Sequence, residues 1–317
     1  MDERVSFRNA IFLLVCALSL GGCLSRKGEL GSAQNPVKLF FTPAVDAQVI
    51  EDNSIALKQH LEKVTPYHYE ISVPQSYIAV VESFGTKRAD VAAINTAGYL
   101  SARQKYGVTA GITVIRFGTD KYYAQFVVKN DSPIQKLADL ENKKIAFVDA
   151  GSTSGYLLPM KMLKDAGINP KEIVFAGKHD SVIMMVYQGT VDAGATFYVA
   201  PSGSASELAA GGGEIQDARR LVKTQYPDVE QKIRILQLSE GIPNDPIIFR
   251  EGVPAEMKEK ITAAFIDFIH TPEGKVAFDK IFGVTDLKRA SDADYEPVRQ
   301  MIETVGDAVD RMMKKGS

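Results

Sequence analysis

Three consecutive hydroxyl-bearing residues, Ser152, Thr153 and Ser154, separate an apolar stretch that ends at Val148 from a predicted helix that begins at Gly155. The first backbone N–H groups of a helix have no partner within it, and the helix dipole places partial positive charge there. Together with three hydroxyl donors, such a turn suits an oxyanion, which offers several acceptor oxygens. Ordinary N-capping by Ser or Thr accounts for the same residues without a ligand. For this turn taken alone, both interpretations stay open.

The same turn does not match two catalytic motifs that also combine glycine with hydroxyl residues. No Gly-Lys-Ser/Thr follows at the spacing of a phosphate-binding P-loop. Thr153 stands where a G-x-S-x-G hydrolase elbow places its nucleophilic serine. The sequence offers no nucleophile–base pair, and its four histidines lack the spacing of a zinc site. We therefore expect a binding protein and not an enzyme, with no catalytic residues, no cofactor and no metal.

The elements around the turn alternate between predicted strands and helices from residue 37 onwards. Ser76 is placed to cap one helix, and Gly85 and Gly107 stand where helices should end. Such alternation predicts an α/β fold of mainly parallel sheets with helices on both faces. Ligands of such sheets bind at the carboxyl ends of the strands. A last long helix is predicted at residues 294–313.

The length of 317 residues and a hydrophobic content of 45% allow two lobes, each with its own core. The first lobe is predicted at residues 36–125 and 235–317, and the second at residues 126–234. The chain would then cross between the lobes twice, near residues 125–129 and 234–239, which permits hinge closure over a ligand in the cleft. A net charge of −2 gives no basic surface for nucleic acid. We expect a monomer.

The N-terminal residues have the features of an export signal. Two arginines precede an apolar run at residues 10–20, which is too short to span a bilayer as a helix. A Leu-Gly-Gly-Cys sequence ending at Cys23 then matches the bacterial lipoprotein signature; a cleaved leader that happens to contain cysteine is the alternative. Cys16 would leave with the leader, so no internal disulfide is expected. We predict a signal peptide at residues 1–22, a lipid on Cys23, a tether at residues 23–35, and a periplasmic or cell-surface location on a bacterial membrane.

Six segments stand out together, in this order: VPQSY at residues 73–77, RADVA at 88–92, KIAFVDAGSTSGY at 144–156, KHDS at 178–181, GTVDA at 189–193 and SEGIPNDP at 239–246. The ordered set resembles the phosphate/phosphite/phosphonate-binding protein family of ABC importers, over about residues 37–270. The resemblance implies a type II periplasmic-binding fold that captures a small phosphorus oxyanion in its inter-lobe cleft. It also implies an importer permease and its ATPase as partners.

The resemblance further implies which residues hold the ligand. The phosphorus oxygens would be bound by Ser152, Thr153 and Ser154, and Gly155 would allow the backbone to approach the ligand closely. His179 matches a ligand contact of the family, and Tyr122, a further candidate for the site, matches an aromatic residue of its crossing strand. Further candidates, at turns or strand ends that would border the cleft, are Tyr77, Asn95, Thr96, Phe197 and Tyr198. A capping role for the histidine and ordinary packing for the aromatic residues are the plain alternatives.

Some positions leave the identity of the ligand open. Tyr123 stands where many relatives have arginine, and Ala44 and Asp46 do not settle the organic end of the ligand. Phosphate, phosphite and phosphonates are therefore all compatible with the sequence. Two alternatives are a receptor of the same fold for a non-phosphorus or apolar ligand, and a sensory protein that presents its ligand to a membrane kinase.

Overall fold

The computed structural model describes residues 28–201, 213–296 and 298–299. The predicted signal peptide, the predicted lipidation site Cys23 and nearly all of the predicted C-terminal helix lie outside these residues. Within the described ranges, no helix combines the length and the apolar character that a membrane span requires.

The described residues form twelve strands and eight α-helices. The strands are β1 (Val37–Phe41), β2 (Tyr69–Ser72), β3 (Val91–Ala93), β4 (Thr109–Arg116), β5 (Lys121–Lys129), β6 (Lys144–Phe147), β7 (Glu172–Phe175), β8 (Ala193–Tyr198), β9 (Ile233–Leu238), β10 (Ile242–Pro243), β11 (Pro246–Phe249) and β12 (Val284–Arg289). The helices are α1 (Ala47–Val64), α2 (Tyr77–Gly85), α3 (Thr96–Tyr106), α4 (Leu158–Asp165), α5 (His179–Gln188), α6 (Val229–Lys232), α7 (Ala255–Ile269) and α8 (Pro272–Phe282). A π-helical segment spans Thr153–Leu157, and 3-10 segments span Leu137–Leu140, Ala218–Val222 and Asp292–Tyr295.

The strands build two sheets, and we call the part of the chain around each sheet a lobe. The first sheet has the order β12-β4-β11-β3-β1-β2, and the second has the order β10-β5-β8-β6-β7 with β9 paired to β5. In each sheet two pairings are parallel and three are antiparallel. The sheets are thus mixed, where the sequence predicts mainly parallel ones. Every antiparallel pairing includes a strand that lies next to a chain crossing. Such a strand enters its sheet without a helical crossover.

The two lobes share one arrangement. In the first, β1 lies between β2 and β3 and is parallel to both; in the second, β6 lies in the same way between β7 and β8. Helices α1 and α2 make the crossovers in the first lobe, and α4 and α5 make them in the second. The turns that follow β1 and β6 are therefore equivalent, and so are the N-termini of α2 and α5.

Each sheet is buried on both faces. Along β1, Val37, Leu39 and Phe41 belong to one cluster of buried side chains, whereas Phe40 packs on the other face. Along β6, Ile145 and Ala146 divide in the same way between two clusters. Successive side chains of a strand point to opposite faces, so these apolar runs require helices on both sides. The result is two rigid layered lobes whose loops are free to form a site between them.

The chain crosses between the sheets at residues 117–120 and 244–245, nearer to the first sheet than the sequence predicts. Strands β5 and β9 belong wholly to the second sheet and run across the predicted lobe boundaries at 125/126 and 234/235. The crossing segments touch: Asn244 donates from its backbone N–H to Asp120 O (3.1 Å) and from Nδ2 to Thr119 O (2.7 Å). Asn244 is fully buried, so this contact is shielded from water.

Three further differences concern local structure. The predicted tether ends before Gly28, because Asn35 Nδ2 donates to Gly28 O (2.9 Å) and Leu30 packs against the first core. Between β5 and β6, where the alternation of strands and helices predicts a helix, the chain forms only the 3-10 segment Leu137–Leu140. Helix α8 and strand β12 are not predicted from the sequence; α8 follows α7 directly, with Thr271 capping it through Gly274 N–H (3.0 Å).

Candidate functional site

A cleft of about 220 Å³ lies between the two lobes, at the carboxyl ends of β1, β3, β6 and β8. This is where ligands of open α/β sheets bind. Eight of the eleven predicted ligand residues line it: Tyr77, Asn95, Tyr122, Ser152, Thr153, Ser154, His179 and Phe197. Gly155, Thr96 and Tyr198 are not among the lining residues. Residues from distant parts of the sequence thus meet in one small cavity.

Residues 149–154, which we call the hydroxyl turn, connect β6 to the π-helical segment. Ser152 caps this segment, since its Oγ accepts from Gly155 N–H at 3.1 Å. A π-helical turn is wider than an α-helical one and is frequent at functional sites. The side chains of Ser152, Thr153 and Ser154 are at most 3% exposed, yet all three line the cleft. Capping accounts for the Ser152 hydroxyl but not for the hydroxyls of Thr153 and Ser154.

The hydroxyl of Thr153 joins the two lobes. Its Oγ1 accepts from Asn95 Nδ2 at 2.8 Å and from Ala97 N–H at 3.0 Å, both in the first lobe. A threonine hydroxyl has one proton and two lone pairs. Because both lone pairs are taken, its proton is the part that can be donated, either to the neighbouring Tyr122 hydroxyl or to an acceptor in the cleft. Asn95 Nδ2 also donates to Gly151 O at 2.8 Å, so one amide group holds the hydroxyl turn at two points.

Four helical segments begin at or beside the cleft: α2, α3, the π-helical segment and α5. Their dipoles place partial positive charge at the cavity. Only some of their first N–H groups are used within the protein. Thr96 N–H of α3 donates to Asp245 Oδ1 at 3.2 Å, while α5 has no side-chain cap at its N-terminus. The combined field favours a negative guest.

His179 is the first residue of α5 and is 5% exposed. Its ring meets Phe197 edge-on, with the ring centroids 5.0 Å apart. Burial, aided by repulsion from Arg116, lowers the pKa of His179 from 6.5 to about 3. The imidazole is therefore neutral near pH 7, with one nitrogen as donor and one as acceptor. Nδ1 is buried and has no hydrogen-bond partner among the described residues, and the residue lines the cleft.

Two tyrosines bring further hydroxyls to the same cavity. Burial strongly raises the pKa of Tyr77 and of Tyr122, so both phenols keep their protons. Tyr77 is the first residue of α2 and its hydroxyl hydrogen-bonds to Ser152. Tyr122 Oη donates to Asp245 Oδ1 at 3.2 Å. The cavity thus holds a cluster of neutral donors.

One wall of the cleft carries an ion pair that the sequence did not lead us to include in the predicted site. Arg116, at the end of β4, places Nη2 2.6 Å from Asp245 Oδ2, just before β11. The guanidinium also lies over the ring of Tyr122, 5.5 Å from its centroid. The pair is little exposed, with side-chain exposures of 11% and 20%. A charged residue that ends an apolar strand, and an aspartate inside the 239–246 segment, are the signals that could have revealed it.

The sequence matches a family model described as "ABC transporter, phosphonate, periplasmic substrate-binding protein" over residues 39–295. The chain belongs to this family. The family consists of substrate-binding proteins that work outside the cytoplasm, and the match covers both lobes.

Individual relatives agree with the family match. The phosphonates-binding periplasmic protein of Escherichia coli K12 is 26% identical over 249 residues, which cover 77% of this chain and 69% of the relative. Among solved structures, a binding protein component of an ABC phosphonate transporter from Pseudomonas aeruginosa superposes with a TM-score of 0.71 at 16% identity, covering 86% of this chain and 87% of that one. PhnD1 from Prochlorococcus marinus, in complex with methylphosphonate, gives a TM-score of 0.66 at 19% identity and covers 88% of this chain and 98% of that one. At these identities the structures show the shared fold, and they confirm the predicted two-lobed α/β architecture.

The three predicted ligand residues outside the lining have structural tasks. A Cβ on Gly155 would lie 2.4 Å from Val148 Cγ2, so glycine is needed for packing behind the hydroxyl turn and not for approach to a ligand. Thr96 Oγ1 donates to Pro243 O at 2.9 Å and so ties α3 to β10 of the second sheet. Tyr198 packs against Tyr123, with centroids 6.1 Å apart. Other contacts thus account for these three residues, and a role for any of them as a ligand contact stays a prediction.

The turn after β1 brings chemistry of the opposite kind to the cleft. Residues 42–46, which we call the proline turn, place Thr42, Ala44 and Val45 on the cavity. Asp46 caps α1 by accepting from Gln48 N–H at 2.9 Å, and it pairs with Lys178 of the second lobe at 2.9 Å. The pairing lowers the pKa of Asp46 and keeps its carboxylate charged. The proline turn therefore presents small apolar side chains to the ligand and keeps its charge at the rim.

Proposed function

We propose that this protein captures a small phosphorus oxyanion in the inter-lobe cleft and delivers it to the permease and ATPase of an ABC importer. One observation carries the proposal: the hydroxyl turn brings three buried hydroxyl groups to the lining of the cavity. The family match and its phosphonate-binding relatives point in the same direction.

Capture would rest on hydrogen bonds more than on a free cation. Arg116 is paired with Asp245, and His179 is neutral at pH 7. The buried donors available to an oxyanion are the hydroxyls of Thr153 and Ser154, amides at the start of the π-helical segment, the imidazole and the phenol of Tyr77, whereas Lys280, which also lines the cleft, is an exposed residue. Hydrogen bonds to a charged group contribute roughly 1.5–3 kcal/mol each. A few of them, together with the helix dipoles, suffice for a strongly held anion.

Closure of the lobes would complete the site. Asn95 reaches the hydroxyl turn only when the lobes are together, and the Lys178–Asp46 pair forms across the same gap. The ligand bridges the lobes by contacting Tyr77 and the hydroxyl turn at once, so it stabilises the closed form over the open one. The permease would then read the closed form as the loaded state.

Several finer points belong to the same proposal. The protein would act on the outer face of a bacterial membrane, held there by a lipid on Cys23. It would bind its ligand without turning it over and would work as a monomer. The lobe boundaries at 125/126 and 234/235 are approximate limits of the two lobes, because β5 and β9 run across them and the chain crosses between the sheets a few residues away.

Isothermal titration of the full-length protein in detergent, with methylphosphonate, phosphite and phosphate, tests the proposal. We expect saturable 1:1 binding of at least one of the three, without turnover. Thr153→Ala should weaken that binding by about 10- to 150-fold, because one hydrogen bond to a charged group is lost. Thr190→Ala, at an exposed threonine beyond the far end of α5, is the matched control and should bind like the wild type. Absence of heat with all three anions would refute the function.

A further inference from the structure

The cleft wall beyond the hydroxyl turn is apolar. Side chains of both lobes and of the crossing segment contribute to it: Ala44, Val45, Val114, Phe117, Leu221 and Ile281. Inorganic phosphate would leave these side chains facing water, whereas an alkyl group on phosphorus would cover them. Each buried CH₂ is expected to raise affinity by about fourfold. The wall therefore favours a phosphorus ligand that carries a hydrocarbon substituent.

Among the residues that line the cleft, the carboxylates are already engaged. Asp245 accepts from Arg116 Nη2, from Thr96 N–H and from the Tyr122 hydroxyl, at 2.6, 3.2 and 3.2 Å. Asp279 lies 3.8 Å from Arg220, and its side chain is 52% exposed at the rim. A substituent that ended in an ammonium group would find no unpaired carboxylate on the lining. An unpaired charge in a closed cavity is strongly disfavoured.

The cations of the lining act in the same direction. Arg116, Arg220 and Lys280 line the cleft against only two acids, Asp245 and Asp279. An ammonium group would thus meet an excess of positive charge, while a neutral alkyl group would not. The volume of about 220 Å³ is below the roughly 300–1,000 Å³ of sites for drug-sized ligands, so the substituent must be short.

We propose that this protein is specific for phosphonates with a short uncharged alkyl substituent and discriminates against aminoalkyl phosphonates. The specificity comes from the Arg116–Asp245 pair, which engages the less exposed of the two carboxylates that line the cleft, and from the apolar wall beside it. The inference rests on the proposed function and adds the chemical class of the ligand.

A matched pair of ligands tests the inference on the wild-type full-length protein. Propylphosphonate and 2-aminoethylphosphonate have the same heavy-atom skeleton and differ by CH₃ against NH₃⁺. We expect propylphosphonate to bind at least about 100-fold more tightly, and ethylphosphonate to bind more tightly than phosphite or phosphate. Tighter binding of 2-aminoethylphosphonate, or of the two inorganic anions, would overturn the inference while leaving oxyanion capture intact. Failure of every phosphorus ligand would instead overturn the proposed function.

Arg116→Gln gives an independent measurement, because it releases Asp245 from its ion pair. The ratio of the two affinities should then shift by at least tenfold toward 2-aminoethylphosphonate. Val45→Asp places a new carboxylate on the apolar wall without touching the ion pair and should shift the ratio in the same direction. An unchanged ratio in a folded variant, as judged by its thermal unfolding, would contradict the assignment. Val49→Asp, at an exposed position of α1, is the control and should leave the ratio unchanged.

Discussion

The proline turn and the hydroxyl turn occupy equivalent places in the two lobes and differ in what they offer. Each follows the central parallel strand of its sheet and leads into a helical segment. In the proline turn a carboxylate, that of Asp46, caps the helix; in the hydroxyl turn a neutral serine, Ser152, does so. A carboxylate cap supplies the negative charge that a helix N-terminus attracts. A hydroxyl cap satisfies one N–H and leaves the positive field available to a ligand.

The residues that begin the equivalent helices α2 and α5 also differ in chemistry. Tyr77 begins α2 and His179 begins α5, and both side chains line the cleft. The tyrosine contributes a phenol beside the hydroxyl turn, and the histidine contributes a neutral ring that is held by Phe197. One arrangement of strands and helices, used twice, can therefore supply an anion-binding half and a half that shapes the organic end.

The largest effect is expected when the serine that caps the hydroxyl turn is replaced by aspartate, the residue type that caps the proline turn. In Ser152→Asp the helical segment keeps a good N-cap, but a carboxylate stands beside the ligand. Two like charges about 4 Å apart at an effective dielectric constant near 20 repel by roughly 4 kcal/mol, so methylphosphonate affinity should fall about 1,000-fold. Titration calorimetry measures the affinity and thermal unfolding checks the fold. Asp46→Ser is the reciprocal control, and its affinity loss should be below tenfold; equal losses in both variants would erase the contrast between the turns.

The pH dependence of stability tests the environment of His179, the residue that begins α5. As pH falls below 6.5, a histidine in the unfolded chain takes up a proton, whereas His179, with its pKa lowered to about 3, does not. This contribution to stability is complete above pH 6.5 and is lost between pH 6.5 and about 3, at up to about 1.4 kcal/mol per pH unit. The free energy of unfolding from urea titrations at pH 7, 6 and 5 should fall more steeply in the wild type than in His179→Gln. A folded His179→Gln protein whose slope equals that of the wild type would contradict the assigned environment.

The contact between the lobes at Thr153 should contribute an intermediate effect. Asn95→Ala removes two hydrogen bonds to the hydroxyl turn, each worth about 0.5–1.5 kcal/mol, so ligand affinity should fall about tenfold. Asn53→Ala is the matched control, because Asn53 donates only to Val49 O within its own helix among the described contacts. An Asn95→Ala protein with wild-type affinity would show that ligand binding does not depend on the hydrogen bonds from Asn95 to the hydroxyl turn.

The smallest effect is expected at the rim. Lys178 and Asp46 bridge the lobes, but their side chains are 38% and 53% exposed. Exposed ion pairs contribute about 0–1 kcal/mol, so Lys178→Met should weaken binding by less than about fivefold. The difference from wild type should shrink further at 0.5 M salt, because ions screen exposed charges. A larger loss, or one that grows with salt, would place Lys178 in the binding site itself.

The sequence was sufficient where a local pattern fixes a local structure. Ser76 caps α2, Gly107 ends α3 in the left-handed conformation, and the hydroxyl turn joins a strand to a helical segment, each as predicted. Most of the ligand residues implied by the family resemblance also lie on one cavity. Their roles as ligand contacts stay predictions until titrations are made.

What the sequence did not reveal depends on contacts between distant residues. Arg116 and Asp245 are 129 positions apart, and no local pattern marks either as a partner of the other. The packing role of Gly155 was not foreseen, because it depends on the side chain of Val148, which comes close to it only in the folded chain. The mixed character of the sheets follows from β11 and β12, which return from the C-terminal part of the chain to pair with β3 and β4.

Asn244, in the second crossing segment, donates hydrogen bonds to the first crossing segment. This contact limits the directions in which the two lobes can move apart. Two neighbouring connections joined in this way permit bending about one axis and resist twisting, because a twist would pull the buried amide from Thr119 and Asp120. The unliganded protein would then explore few relative orientations of its halves. Little orientational entropy is lost when the ligand arrives, and more of the interaction energy is retained as affinity.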